Sequence, residues 1–138
     1  MAGGFMLNNE LTDFSMLPEL NGRKIANRVQ PNKRPMSSMT PTIIFKDKNL
    51  FALTGSPGGT SIINYVTKSV LGLIDWGLDP SEVTELPHYM NRGNYTELEK
   101  NTVLENLATE LESLGHPIKI QNKRSGLHIA LKKGNGYI

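Results

Sequence analysis

The chain contains no cysteine. That excludes disulfides, thiolate catalysis and cysteine-ligated metal, but it leaves the compartment open, because secreted bacterial proteins often lack cysteine as well. No run approaches the roughly 18 consecutive apolar residues that a membrane helix needs. The opening MAGGFMLNNE has no basic n-region, and two asparagines cut off its apolar stretch, so it does not read as a secretory signal. A net charge of only +2 gives no argument for nucleic acid. The three histidines, His88, His116 and His128, show no His-x-x-x-His spacing, and zinc is not expected. No cofactor is expected either.

What is present suits a folded protein. With 38% hydrophobic and 20% charged residues, the 138-residue chain can form one domain with a modest core. Residues 1–40 are rich in Gly, Asn, Pro, Ser and Met and hold no period of 3.6 or 2. They read as extended or irregular backbone, a length that usually serves function or rests against a partner. From Thr42 the pattern changes. Thr42 to Phe45, a polar turn, and Leu50 to Leu53 predict a β-hairpin. The second strand runs into Gly55-Ser56-Pro57-Gly58-Gly59. Ile62, Val66, Val70 and Leu73, joined by Ile63 and Ile74, then predict a buried helix.

A second helix is signalled by Asp79 as N-cap, Pro80 at the first helical position and Glu82 closing a capping box, and it must stop by Leu86 before Pro87. A third is expected from Thr96, with Glu99 three residues on, a face of Val103, Leu107, Leu111 and Leu114, and an end at Gly115. His116 helps to finish that helix. Two short strands near Ile118 to Gln121 and Leu127 to Leu131 close the chain as a basic hairpin carrying Lys119, Lys123, Arg124, Lys132 and Lys133. The class is α+β, with antiparallel strands and about three helices.

Four places carry candidate chemistry. Gly58 and Gly59 let the chain approach a ligand closely and lie at a helix N-terminus, whose free N–H groups favour negative charge. They could bind an anion or a developing oxyanion, or form a plain strand-to-helix turn. Phosphate is disfavoured, because the Lys-Ser/Thr of a phosphate-binding loop is missing. Glu10 and Asp13 could jointly accept an ammonium group or simply form a solvated turn or helix cap. Ser37 and Ser38 offer two hydroxyls to a carboxylate, or an ordinary turn before the strand. The basic C-terminal residues could meet a polyanion or stand as a solvated face.

In order and spacing these segments resemble one family. Asn8-Asn9-Glu10…Asp13-Phe14-Ser15, then Lys33-Arg34-Pro35-Met36-Ser37-Ser38-Met39-Thr40-Pro41-Thr42, then Gly55-Ser56-Pro57-Gly58-Gly59 are similar to the small subunit of γ-glutamyltransferase, also called γ-glutamyltranspeptidase or glutathione hydrolase. Ile74-Asp75-Trp76-Gly77-Leu78-Asp79-Pro80 and the Gly115-His116 turn add to the likeness, which spans essentially the whole chain.

The resemblance implies an N-terminal-nucleophile hydrolase with an αββα sandwich, made as a proenzyme that cuts itself into two subunits. It implies a threonine acyl-enzyme formed from glutathione or another γ-glutamyl compound and passed to water or to an amino-acid or peptide acceptor. Glu10 and Asp13 match positions that bind the α-ammonium group, Ser37 and Ser38 the pair that binds the α-carboxylate, and Gly58 and Gly59 the oxyanion hole. A periplasmic or extracellular location is implied, with no membrane span.

Departures carry expectations of their own. Thr12 stands where the family commonly has a second acid. No Thr-Thr-His-type segment bearing the nucleophile is present, and the sequence stops before the family's Asp-Pro-Arg motif. The chain is therefore expected to be the C-terminal portion of the small subunit, truncated at both ends, inactive without the large subunit and prone to self-association. A related acylase, a poly-γ-glutamate depolymerase and a non-catalytic polyanion-binding module are the alternatives.

Overall fold

The computed structural model describes residues 3–123 and 125–138, in two units, one running to Ser37 and one from Ser38 to Ile138. In the first unit a 3-10 turn covers Glu10–Asp13, and a small antiparallel hairpin joins β1 (Glu19–Leu20) to β2 (Arg23–Lys24). Asn21 and Gly22 form its turn at φ 51° and 73°. Asn-Gly is favoured there because both central residues of a type I′ turn need positive φ. The stretch is expected to be extended or irregular, and the 3-10 turn and the paired hairpin are the regular structure found in it; residues 33–41 lack any regular element.

In the second unit β3 (Thr42–Lys46) and β4 (Asn49–Gly55) form the expected hairpin, with Asp47 and Lys48 at positive φ in the turn. A 3-10 turn, Gly59–Ser61, leads into α1 (Ile62–Ile74), and α2 (Pro80–Glu85) follows. The α2 capping box forms as expected. Asp79 Oδ1 accepts the amides of Ser81 and Glu82, and Glu82 Oε2 accepts the amide of Asp79 at 2.8 Å.

Then come β5 (Tyr89–Asn91), β6 (Thr96–Glu99), α3 (Ala108–Ser113), β7 (Ile118–Gln121), β8 (His128–Lys133) and β9 (Gly136–Tyr137). One sheet has the order β3-β4-β8-β9 and is antiparallel throughout; the other, β5-β6-β7, pairs β6 with β7 in parallel.

The core lies between the four-stranded sheet and the two helices. Ala52, Leu73 and Val83 are buried there, with Ile44, Ile129 and Leu131 packed against them. Helix α1 comes close to α2 because residue 72 is glycine: a Cβ there would lie 2.7 Å from Val83 Cγ2. Ser69 donates to Val66 O, so its oxygen is left to accept from Thr54 on β4, 2.8 Å away. A buried hydroxyl pair thus joins helix to sheet with every polar atom satisfied. The opposite face of the sheet is bare, with Ile43 and Phe45 61% and 64% exposed.

Two expectations are corrected. The segment Thr96–Glu99 is a strand, and helical structure starts only with a 3-10 turn at Val103–Leu107. The Thr-x-x-Glu pattern recurs at Thr102–Glu105, and that later copy makes the cap: Leu104 N–H donates to Thr102 Oγ1, and Asn101 N–H to Glu105 Oε1. Tertiary pairing decides between the copies, since β6 lies between β5 and β7 with Glu97 and Leu98 both buried. Gly115, at φ 88°, closes α3, and His116 N–H returns to Leu111 O at 3.0 Å, as expected of a helix end. The last two predicted strands do not pair as a hairpin: β7 belongs to the three-stranded sheet and β8 to the four-stranded one.

Candidate functional site

In the first unit, Glu10 and Asp13 sit in the same 3-10 turn, Glu10 half-buried and Asp13 exposed. Just before that turn Asn8 Oδ1 accepts the Glu10 amide at 3.1 Å, and Thr12 folds its hydroxyl onto Asn9 O at 2.8 Å. Asn27 is the hub of the unit. Its Nδ2 donates to Asp13 O at 2.7 Å, its Oδ1 accepts the Met36 amide at 2.9 Å, and its carbonyl accepts the Ser15 amide at 2.8 Å. One side chain therefore ties the carboxylate-bearing turn to the residue that precedes Ser37, which is itself exposed.

In the second unit, Ser38 is half-buried and leads into β3. Because Thr42 pairs with Thr54, the start of β3 lies beside the end of β4, where the chain enters the glycine turn. Gly58 has φ 138° and Gly59 φ 55°, so both need glycine's freedom. A Cβ on Gly58 would lie 2.8 Å from Tyr65 Cε2. Ser61 N–H donates to Gly58 O at 3.1 Å. Both glycines are exposed at the N-terminal end of α1, where amides unpaired within the helix favour an anion.

Two polar clusters escaped the sequence reading. In the first, Glu97 is 4% exposed and is met by Arg92 Nε at 3.2 Å, by the Lys123 ammonium, and by Gln121 Nε2 at 3.2 Å. Burial works to raise the Glu97 pKa, but the hydrogen bonds and charges of Lys123 and Arg92 outweigh it and hold the carboxyl below its ordinary value. In the second, buried Lys68 and His88 lie side by side beneath Tyr65, whose ring centroid is 4.2 Å from that of His88. Burial pushes Lys68 down to about 8 against the pull of Glu99; burial, with Lys68 and Lys123 nearby, pushes His88 down to about 4.

Arg92 and Glu97 are near neighbours across the β5–β6 turn, but no local signal brings in the other partners, since Gln121 and Lys123 stand 24 and 26 residues from Glu97 and Lys68 stands 20 from His88. Of the basic residues read as a C-terminal patch, Lys123 is paired with Glu97 and Lys119 lies 3.7 Å from the Tyr95 ring centroid. Arg124 lies outside the described residues. Among those described, no three His, Asp or Glu side chains gather as a metal would require, and no helix is long and apolar enough to cross a membrane.

A helix layer on one face of an antiparallel sheet, with the other face bare, is half of the αββα sandwich of an N-terminal-nucleophile hydrolase, and solved structures agree. A mutant γ-glutamyltranspeptidase of Helicobacter pylori superposes with a TM-score of 0.80 at 32% identity, covering 99% of this chain and 78% of that one. The family model described as gamma-glutamyltranspeptidase matches residues 1–137, and the chain belongs to that family. A glutathione hydrolase proenzyme of Bacillus subtilis is 39% identical over 138 residues, covering 96% of this chain. One from Escherichia coli is 46% identical over 91 residues, covering 62% of this chain and 16% of its own length. The chain spans 22% of the length of the Bacillus relative.

Proposed function

We propose that this chain is the C-terminal portion of the small subunit of a γ-glutamyl transferase or hydrolase, acting on glutathione and other γ-glutamyl amides. In this reading Glu10 and Asp13 receive the substrate's α-ammonium group, Ser37 and Ser38 its α-carboxylate, and the amides of Gly58 and Gly59 the oxyanion. A threonine hydroxyl from outside this chain attacks the γ-carbonyl carbon. The oxyanion collapses, the C–N bond breaks, and the amine leaves with a proton while a threonyl ester remains. Water or an acceptor amine then attacks the ester, releasing the threonine hydroxyl.

The observation that carries this reading is the Gly58–Gly59 turn. Two consecutive positive-φ glycines at the entrance to α1 leave backbone amides open to a developing negative charge. The Asn27 bridge supports the substrate site, because it joins the Glu10–Asp13 turn to the segment just before Ser37. The bare sheet face with Ile43 and Phe45 supports a partner layer, namely the large subunit. Without that subunit and the threonine the chain has no turnover, and the bare face drives self-association. A periplasmic or extracellular site of action follows the family resemblance.

The test is turnover of γ-glutamyl-p-nitroanilide by this chain mixed with a separately made large subunit and threonine-bearing segment. Activity in the mixture alone, abolished by Ser37→Ala/Ser38→Ala, is the expected outcome. An associated but silent mixture would overturn the assignment.

A further inference from the structure

We propose that Arg92 is a positioning residue for the γ-glutamyl reaction: through the side chains of Thr60 and Ser61 it holds the Gly58–Gly59 turn so that the turn's amides face the reacting carbonyl. The inference rests on the function proposed above and adds to it a residue that touches neither substrate nor nucleophile.

Two adjacent glycines give the turn its shape but no side chain by which to hold it, and glycine has more backbone freedom to lose than any other residue. The anchors are the next two residues. Arg92 Nη1 donates to Thr60 Oγ1 and Nη2 to Ser61 Oγ, both at 2.9 Å. Ser61 stands at the N-cap of α1, where a serine ordinarily uses its hydroxyl to cap the helix. It makes no such bond, and its oxygen accepts from Arg92 instead. The backbone of the same residue donates to Gly58 O. Fixing Ser61 therefore fixes the glycine turn from its helical side, while the Tyr65 ring limits it from below.

The guanidinium is itself fixed. Arg92 starts the tight turn between β5 and β6: its amide donates to Tyr95 O at 2.8 Å, and the Gly93 amide donates to Asn91 Oδ1 at 2.8 Å. Its Nε meets Glu97 Oε2 at 3.2 Å, and Glu97 is held in turn by Lys123 and Gln121. The planar fork is thereby oriented by contacts on three nitrogens. Burying such an ion cluster is a poor route to stability, since apolar residues of equal volume serve as well or better. Its distinguishing effect is directional: it determines where the two terminal nitrogens point.

The experiment compares Arg92→Met, Arg92→Lys and Thr60→Val/Ser61→Ala in the reconstituted complex, with amide hydrogen exchange on the full chain as a second readout. Arg92→Met is expected to lower kcat about ten- to a hundredfold with KM within about twofold, the signature of a misaimed oxyanion donor. Arg92→Lys should recover part of the loss. Combining Arg92→Met with Thr60→Val/Ser61→Ala should cost no more than either alone, because all act through the same contacts. Exchange should quicken at residues 58–62 and stay unchanged at residues 65–73.

Unchanged kcat together with unchanged exchange at residues 58–62 would overturn the proposal. So would a loss confined to KM or to global stability. If Arg92→Met fails to fold, Thr60→Val/Ser61→Ala must reproduce the kcat loss, and wild-type kcat there overturns it. If the associated wild-type complex shows no turnover, the γ-glutamyl reading falls by itself, and exchange alone decides whether Arg92 holds the turn.

Discussion

Lys68 Nζ lies 2.8 Å from His88 Nδ1, with both residues buried. The ammonium has three hydrogens and three acceptors, Leu86 O, Pro87 O and His88 Nδ1. Nδ1 therefore accepts, the ring hydrogen sits on Nε2, and Nε2 donates to Ser125 Oγ at 2.8 Å. This tautomer prevents His88 from taking a proton from Ser125. The serine–histidine contact is a structural tie, not a nucleophile and its base.

Acid stability follows from that pair. His88 titrates near 4 when folded and near 6.5 when unfolded, so between those values the unfolded chain binds more protons. Stability should fall as pH drops through that window, by about 3 kcal/mol at the bottom of it. Lys68, lowered from 10.5 to about 8, should add stability as pH rises through the alkaline window. Thermal unfolding of wild type and His88→Gln across pH 4 to 8 checks the first effect. An equal acid slope in both would refute it, since other carboxylates contribute alike to each.

Gly72→Ala should destabilise the chain by about 1–3 kcal/mol, measured by denaturant unfolding. Alanine is the better helix former by up to about 1 kcal/mol, but the added Cβ would meet Val83 Cγ2 at 2.7 Å in a packed core. Overpacking outweighs propensity here, and Val83→Ala in the same chain should remove the clash.

Ser69→Ala should cost about 1–3 kcal/mol, because it strands the Thr54 hydroxyl inside the helix–sheet contact. Thr54→Val combined with Ser69→Ala should cost less than Ser69→Ala alone. Equal losses would mean that the pair is not coupled.

Under the proposed function, Asn27→Ala should raise KM for γ-glutamyl-p-nitroanilide in the reconstituted complex about tenfold while kcat changes little, because it removes a tie worth roughly 1–1.5 kcal/mol on the turn that carries Glu10 and Asp13. A fall in kcat at constant KM would place Asn27 elsewhere in the reaction.

Much of this was legible in the chain itself. Asp79, Pro80 and Glu82 wrote the start of α2 locally, and the 3.6-residue spacing of Ile62, Val66 and Leu73 marked the buried side of α1. Asn21-Gly22 was equally legible as a hairpin turn but was hidden in a stretch without periodicity. Thr96–Glu99 misled because a capping pattern says nothing about which strands will flank it. The long links of the polar clusters could not be read: Arg92 joins residues 31 and 32 positions away, and Glu97 one 26 positions away.

The sequence by itself determined the β3–β4 hairpin, the buried face of α1, the capped start of α2 and the family to which the chain belongs, because capping, turn chemistry and short motifs act over a few residues. Only the tertiary structure decided that Thr96–Glu99 is a strand, that β7 and β8 enter different sheets, and that Arg92 reaches the glycine turn. Those outcomes depend on burial and on pairing between distant segments, whose free energy exists only once the chain has closed upon itself.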